Sequence, residues 1–325
     1  MPSLIPPRGV FVPSPTFFLP SSPGSSHPAI DIPTQTAHSI HLARSGITGL
    51  VLLGSTGEAT HLTATERFDL VSGVRAGLDA AGFSEYPIMA GVLTSGGIDE
   101  TLAWLADYAR AGAQWGLVLA PGYFGAAVGQ AGLEAWYGEV AGRSALPVLV
   151  YNYPGVTNGV VVEPETYRRL AGREEIVGCK MSHGNVSHHV QVALDPEIDH
   201  ERFRVYSGFG QQLGPIVAFG AAGVIDGMAA FFPKTVVRLM RLMETEPKTD
   251  EVWAEIRTLQ YLVSRAEEFV VRHGVQGIRV AVFRLLGFGN LEGGRLPLRG
   301  SMTEGAWVTS RALFLADAEK KELSL

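Results

Sequence analysis

A single cysteine, Cys179, stands in a chain of 325 residues, so no intrachain disulfide can form and a reducing compartment suits it. Charge is sparse too. Only 18% of residues are Asp, Glu, Lys or Arg, against about 25% in ordinary globular domains. With 46% hydrophobic residues, much of the chain must be interior, and disorder is excluded for its bulk. Basic clusters are missing. The 26 Lys+Arg against 32 Asp+Glu give a net charge of −6, and no patch supplies the footprint of a nucleic-acid-binding surface. No apolar run approaches the roughly 18 residues of a spanning helix. Prolines in the opening Met-Pro-Ser-Leu-Ile-Pro-Pro-Arg interrupt any signal-peptide core, and the final Leu-Ser-Leu only faintly echoes a peroxisomal address. The expectation is a cytoplasmic protein with neither nucleic-acid nor membrane partners.

What is present is alternation. Eight short apolar runs, Val10–Pro13, Gly49–Leu53, Pro87–Val92, Gly116–Ala120, Pro147–Tyr151, Ile176–Lys180, Phe203–Ser207 and Gly223–Ile225, read as strands covered on both faces. Helical patterns separate them. Thr63-Ala-Thr-Glu66 has the form of a capping box, and Ser95–Ala111 and Glu163–Leu170 read as helices in the same way. Eight such β–α pairs predict an α/β fold, a parallel (β/α)8 TIM barrel; an open doubly wound sheet would seldom need so many regular units. Past Pro233 the strand signal stops, and Thr235–Glu244, Glu251–His273 and Gly277–Leu286 predict a C-terminal all-α extension. We expect residues 1–240 to form the barrel and 241–325 the extension. Leu19–Pro33, rich in Ser, Pro and Gly, and Gly287–Gly300, with five glycines and a proline, read as loops.

Lysine is the scarcest charged residue: Lys180, Lys234, Lys248, Lys320 and Lys321 are all there are. Four lie in polar or terminal settings. Lys180 instead ends the run Ile176-Val-Gly-Cys-Lys180, at the strand end where barrel active sites lie. Partial desolvation there favours the neutral, nucleophilic amine, although a lysine reaching for solvent at the rim would give the same pattern. Gly54-Ser-Thr-Gly-Glu58 follows the second strand. Its hydroxyls and backbone N–H groups can face a carboxylate or phosphate, but it lacks a P-loop lysine and spells no dinucleotide fingerprint. Tyr151-Asn-Tyr-Pro-Gly155 ends strand five, and Ala120-Pro-Gly-Tyr-Phe124 ends strand four. These groups, far apart in sequence, converge on one barrel face.

Gly-Ser-Thr-Gly-Glu, Tyr-Asn-x-Pro and Ile-Val-Gly-Cys-Lys in this order resemble the dihydrodipicolinate synthase/N-acetylneuraminate lyase family, pyruvate aldolases that act through a lysine Schiff base on a (β/α)8 barrel. The resemblance spans nearly the whole chain. It implies that Lys180 forms the imine with a 2-oxo acid, that Tyr151 moves protons, and that Ser55 and Thr56 hold the carboxylate and extend the proton relay. It also implies that Tyr123 reaches a neighbouring subunit's site in a homo-oligomer, a dimer or tetramer, and that Ile225 borders the imine. No metal and no separate cofactor are implied.

One departure bears on the substrate. Where the synthases carry Arg-Thr after Tyr-Asn-x-Pro-x, this chain has Val156-Thr157. Valine cannot imitate a bidentate arginine–carboxylate contact, so the expected acceptor is a neutral aldehyde. Ser182, His183 and Asn185, which follow Lys180, suit its hydroxyls because they donate and accept hydrogen bonds at once, and Asp226 is a further candidate. A metal site at His183, His188 and His189 fits no standard ligand spacing, and His188 and His189 read as helix-surface residues. Cys179 reads as a small apolar residue of the barrel wall.

Within the family, Val51-Leu-Leu-Gly-Ser-Thr-Gly-Glu58, Pro121-Gly-Tyr-Phe124, Tyr153-Pro-Gly-Val156 and Lys180-Met-Ser-His-Gly184 are most similar to the fungal L-threo-3-deoxy-hexulosonate aldolases. The implied reaction is cleavage to pyruvate and L-glyceraldehyde in D-galacturonate breakdown. The alternatives are a 4-hydroxy-2-oxoglutarate aldolase, then dihydrodipicolinate synthase, and, in a different class, a catalytically silent barrel that senses 2-oxo acids.

Overall fold

The computed structural model describes residues 5–20 and 27–325. The opening Met-Pro-Ser-Leu and the middle of the Leu19–Pro33 loop lie outside them.

Eight strands, β1 (Gly9–Pro13), β2 (Gly49–Leu52), β3 (Ile88–Val92), β4 (Trp115–Leu119), β5 (Val148–Asn152), β6 (Ile176–Met181), β7 (Arg204–Ser207) and β8 (Gly223–Ile225), pair in parallel in sequence order. β8 then returns to β1, with Gly9 opposite Gly223, and the barrel closes. Closure excludes the open sheet. Residues of both faces are buried along nearly every strand, which is why the strands read as continuous apolar runs.

Each strand is followed by a helix: α1 (Ile32–Arg44), α2 (Ala64–Ala80), α3 (Ile98–Ala111), α4 (Gln130–Arg143), α5 (Pro164–Ala171), α6 (Val186–Ala193), the short α7 (Leu213–Val217) and α8 (Pro233–Glu244). The Thr63 capping box before α2 forms in full, with Thr63 accepting from the Glu66 N–H and Glu66 accepting in return. α3 begins at Ile98 rather than Ser95, after the Gly96-Gly97 pair, because glycine is a poor helix interior residue.

After the barrel come α9 (Asp250–Leu286), α10 (Glu304–Ser310) and α11 (Ala316–Ser324), the last two joined by a π-helical turn. α9 is one long helix broken at Gly274, whose φ of 55° and ψ of −146° suit glycine alone. The break falls between the two helical segments expected from sequence. α9 packs along α8 and over the turns that follow β7 and β8. α11 returns to the barrel: the Glu322 carboxylate accepts the Lys234 and Thr235 N–H groups at 2.9 and 2.7 Å, satisfying donors that the first turn of α8 leaves unpaired. Among the described residues no helix is long and apolar enough to cross a membrane.

Candidate active site

β6 ends in Lys180 and Met181, and the inward residue Lys180 is only 6% exposed. Parallel register sets it opposite Tyr151 of β5 on one side and Tyr206 of β7 on the other. The amine Nζ lies 4.6 Å from the centre of the Tyr151 ring. Burial lowers the lysine pKa to about 7, and the Asp226 carboxylate opposes that shift. Close to neutrality, then, much of the amine carries a free lone pair. Gly208 makes room for it: a Cβ there would fall 2.0 Å from Ser182 Oγ and 3.1 Å from Lys180 Cε.

Alternation along β5 turns Tyr151 inward and Asn152 outward. Asn152 ties down the segment after the strand, donating to the Val160 carbonyl at 2.9 Å and accepting from the Val162 N–H at 3.2 Å. The Tyr151 hydroxyl stands 3.3 Å from Ser55 Oγ. Burial pushes the phenol above its ordinary pKa, while hydrogen bonds with Ser55 and then Ser182 pull it down. Tyr151 is therefore a phenol at neutral pH whose proton has a hydroxyl to move to.

Ser55 and Thr56 sit on the turn after β2. Both ends of that turn take left-handed backbone, Leu53 with φ 59° and Glu58 with φ 52°, a strained choice for residues with a Cβ. The strain is held from beneath. Thr16 donates to the Gly57 carbonyl at 2.6 Å, and the fully buried Glu58 receives Arg279 Nη1 of α9 at 3.1 Å. Desolvation acts against both charges of this pair, raising the Glu58 pKa and lowering that of Arg279. Arg279→Ala, which leaves the buried carboxylate with His61 Nδ1 at 3.3 Å and no fixed cation in contact, is expected to cost about 3 kcal/mol, the lower end for a broken buried pair. Urea unfolding measures it, and a loss under 1 kcal/mol refutes this account of the turn.

The functional atoms border one cavity of about 330 Å³ at the carboxyl end of the strands. Ser55, Thr56, Tyr151, Lys180, Ser182 and Ile225 form its floor and near wall; Glu267, Val270, Val271, Gly274, Val275 and Ile278 of α9 form the far wall. Of the candidates named from sequence, Lys180, Tyr151, Ser55, Thr56, Ser182 and Ile225 thus come together.

The other candidates stand apart. Asp226 is wholly buried behind the cavity, beside Glu267 rather than at the cavity surface. Val156, 51% exposed on a turn beyond β5, does not line it. Neither does His183, whose half-buried ring packs edge-on against His188 and His189 and whose pKa burial lowers to about 4. Tyr123 is 73% exposed and borders a separate hollow with Pro121, Phe124 and Trp136. The surface assignment of His189 is corrected: it is fully buried, its ring nitrogens facing the carbonyls of Asn185 and Met181 at 2.9 and 3.2 Å. α6 turns this side of its second turn against the barrel. Cys179 is buried in the wall as expected.

Ser182, two positions past Lys180 and so on the same side by period-two alternation, is the serine read from sequence as suited to a hydroxylated aldehyde, and it lines the cavity. One ionisable cavity residue escaped the sequence reading. Glu267 is an acid among Val263, Ala266 and Val270 on the inner side of α9, a carboxyl where helical spacing calls for an apolar residue.

Residues 30–299 match the model of the dihydrodipicolinate synthetase family. The chain is 34% identical over 298 residues, 90% of each chain, to an L-threo-3-deoxy-hexylosonate aldolase of Hypocrea jecorina. It is 30% identical, over 86% of each chain, to a protein of Emericella nidulans that carries the name of a mitochondrial 4-hydroxy-2-oxoglutarate aldolase. Among solved structures it is similar to a dihydrodipicolinate synthase family protein from Coccidioides immitis, with a TM-score of 0.80, 26% identity and 100% of both chains covered.

Proposed function

The chain belongs to the dihydrodipicolinate synthetase family, and on that premise we propose that it is a Schiff-base aldolase cleaving L-threo-3-deoxy-hexulosonate, a 2-oxo-3-deoxy sugar acid, to pyruvate and L-glyceraldehyde. The observation that carries the reading is the composition of the cavity. It contains one desolvated amine, Lys180, beside the Tyr151–Ser55 hydroxyl pair, and among the described residues no second cation lines it. One carboxylate, that of the 2-oxo acid, has Ser55 and Thr56 to hold it. A second carboxylate on the departing aldehyde has no arginine waiting for it. That disfavours both the synthase reaction and release of glyoxylate; D-galacturonate breakdown is the metabolic setting that the resemblance to the fungal sugar-acid aldolases implies. The single buried cysteine suits a cytoplasmic location.

In the proposed sequence the neutral Lys180 amine attacks the C2 carbonyl, and the carbinolamine loses water to give an iminium. The C4 hydroxyl gives its proton to Tyr151 as the phenolic proton passes to Ser55 and the Ser55 proton to the C1 carboxylate that Ser55 holds. The C3–C4 bond pair moves into the iminium, forming an enamine, and L-glyceraldehyde leaves. The relay returns the proton to C3, and water hydrolyses the iminium to pyruvate and free lysine. The lysine supplies the electron sink, so the scheme needs no separate cofactor.

A substrate panel tests the reading. With 2-oxo-3-deoxy sugar acids, 4-hydroxy-2-oxoglutarate, and aspartate semialdehyde plus pyruvate, the expected preference is for the neutral-aldehyde substrates. Faster turnover of 4-hydroxy-2-oxoglutarate overturns it. A silent sensor would turn over none of them and would trap no pyruvate on borohydride reduction.

Assembly follows from the same reading. Tyr123 and Phe124, 73% and 75% exposed, would meet a partner subunit, carrying Tyr123 to the partner's cavity. We expect at least a dimer by sedimentation velocity, and Tyr123→Ala to weaken both association and turnover. A fully active monomer at nanomolar concentration would sink the assignment.

A further inference from the structure

Behind Lys180 lies an acid pair that the mechanism above does not use. Asp226 follows β8, and Glu267 reaches it from α9; both are almost wholly buried, at 0% and 2% exposure. The two carboxyls share one donor, the Met228 N–H, which reaches Asp226 Oδ1 at 3.1 Å and Glu267 Oε1 at 3.3 Å. Asp226 Oδ2 is sealed from solvent with no donor of its own, and Gly210 closes over it so tightly that a Cβ there would lie 2.8 Å away.

Two carboxylates this close in a dry site cannot both ionise. One proton between them resolves the arrangement, giving Asp226 Oδ2 its missing donor and leaving a single negative charge. Burial and mutual repulsion push Glu267 well above the usual carboxylate range; burial raises Asp226 too, opposed by its hydrogen bond with Glu267, then by the Met228 and Ala229 N–H groups, and last by the Lys180 charge. The proton therefore resides mainly on Glu267. The charged groups facing the pair are Lys180 of β6 and, more weakly, Glu268 of α9.

We propose that Asp226 and Glu267 act as one monoanionic, proton-sharing pair that is the counter-ion of the iminium formed at Lys180. The inference rests on the Schiff-base reading of the site. The iminium carries one N–H, and in a buried cavity it would lose that proton to become a neutral imine, which is a poor electron sink, so a fixed anion is needed to keep it charged. The pair supplies one negative charge, whereas two would hold Lys180 protonated and idle. Glu267 also borders the cavity, placing the neutral end of the pair toward the substrate.

The test is a double-mutant cycle read by borohydride trapping of pyruvate and intact mass. In Asp226→Asn the amide donates to Glu267, which ionises; in Glu267→Gln the amide donates to Asp226. Each single variant keeps one negative charge, and a rise of only about threefold in the pyruvate concentration needed for half-trapping is expected. The double variant keeps none. It should lose about 10²-fold, the lower end of what an unpaired buried charge costs, while the pH at which the amine becomes reactive falls. Opposite movement of these two readouts is not what loosened packing produces.

Infrared difference spectra between wild type and Glu267→Gln serve where the double variant does not fold. They should show the carbonyl stretch of one protonated carboxyl at neutral pH, lost in the variant. Single-variant losses that simply multiply in the double, a double variant that traps like wild type, or no protonated carboxyl each overturn the pair. A wild type that traps no pyruvate overturns the Schiff-base reading itself, which separates the two failures.

Discussion

Lys180→Arg is expected to trap no pyruvate on borohydride reduction and to lose turnover by about 10⁵–10⁶-fold, the scale on which removal of a covalent nucleophile acts. Protonation rather than shape decides the outcome. Arginine spans a similar length, but its guanidinium stays protonated at any working pH and presents no lone pair to a ketone. Lysine at this position differs because burial brings its pKa to about 7. The same value fixes the acid limb of the wild-type profile. Below pH 7 the amine is an ammonium, so the rate of imine formation should fall about tenfold per pH unit as pH drops, and it should level off above. A guanidinium in a closed cavity also lacks water, so the fold of the variant is checked by thermal melting. Lys180→Met, neutral and of similar length, repeats the test without the buried charge. Trapping by either variant would mean that another group is the nucleophile.

Most of the frame that carries this lysine was legible in the chain. A buried parallel strand has to be apolar on both faces, so eight such runs at regular spacing left little choice of fold. Lys180 stood out because a charged residue closing one of those runs contradicts the pattern around it. The break in α9 was visible as a lapse in helical periodicity near Gly274. Less legible was anything that depends on two distant segments meeting. Glu58 looked like a generic turn residue until Arg279, 221 positions away, was found beneath it. Glu267 belongs to a helix that reads as an appendage, yet it forms cavity wall. Local pattern gives a helix its buried side; it does not say which cavity that side will close. His189 failed for a related reason. Its burial is set by the carbonyls at the end of β6 and the start of α6, whereas composition suggests only a polar residue on a short helix. Val156 was read by analogy of position, but the turn after β5 leaves it facing outward.

Tyr151→Phe separates binding from proton transfer at the same cavity. The substitution removes one oxygen and keeps the ring, so the stacking on Tyr153, with ring centres 6.1 Å apart, and the wall beside Lys180 remain. Pyruvate should still form its adduct with Lys180, because the amine and the Ser55–Thr56 turn are untouched. What is lost is the hydroxyl 3.3 Å from Ser55 Oγ, and with it the path for the C4 proton. Burial holds the phenol above its ordinary pKa, so Tyr151 cannot act as a standing phenolate base. It can accept one proton only as it hands its own to Ser55. The expected result is a fall in kcat of about 10²–10⁴-fold, the range for general acid–base catalysis, with half-trapping by pyruvate moved by no more than a few-fold. Ser55→Ala should share part of that loss in kcat, since it removes the next oxygen of the relay, and it should also weaken binding of the 2-oxo acid. The double variant decides whether the two hydroxyls act together: if they form one relay, its kcat stays close to that of Tyr151→Phe alone, because a broken chain cannot be broken twice. Normal turnover by Tyr151→Phe would show that the C4 proton leaves by another route.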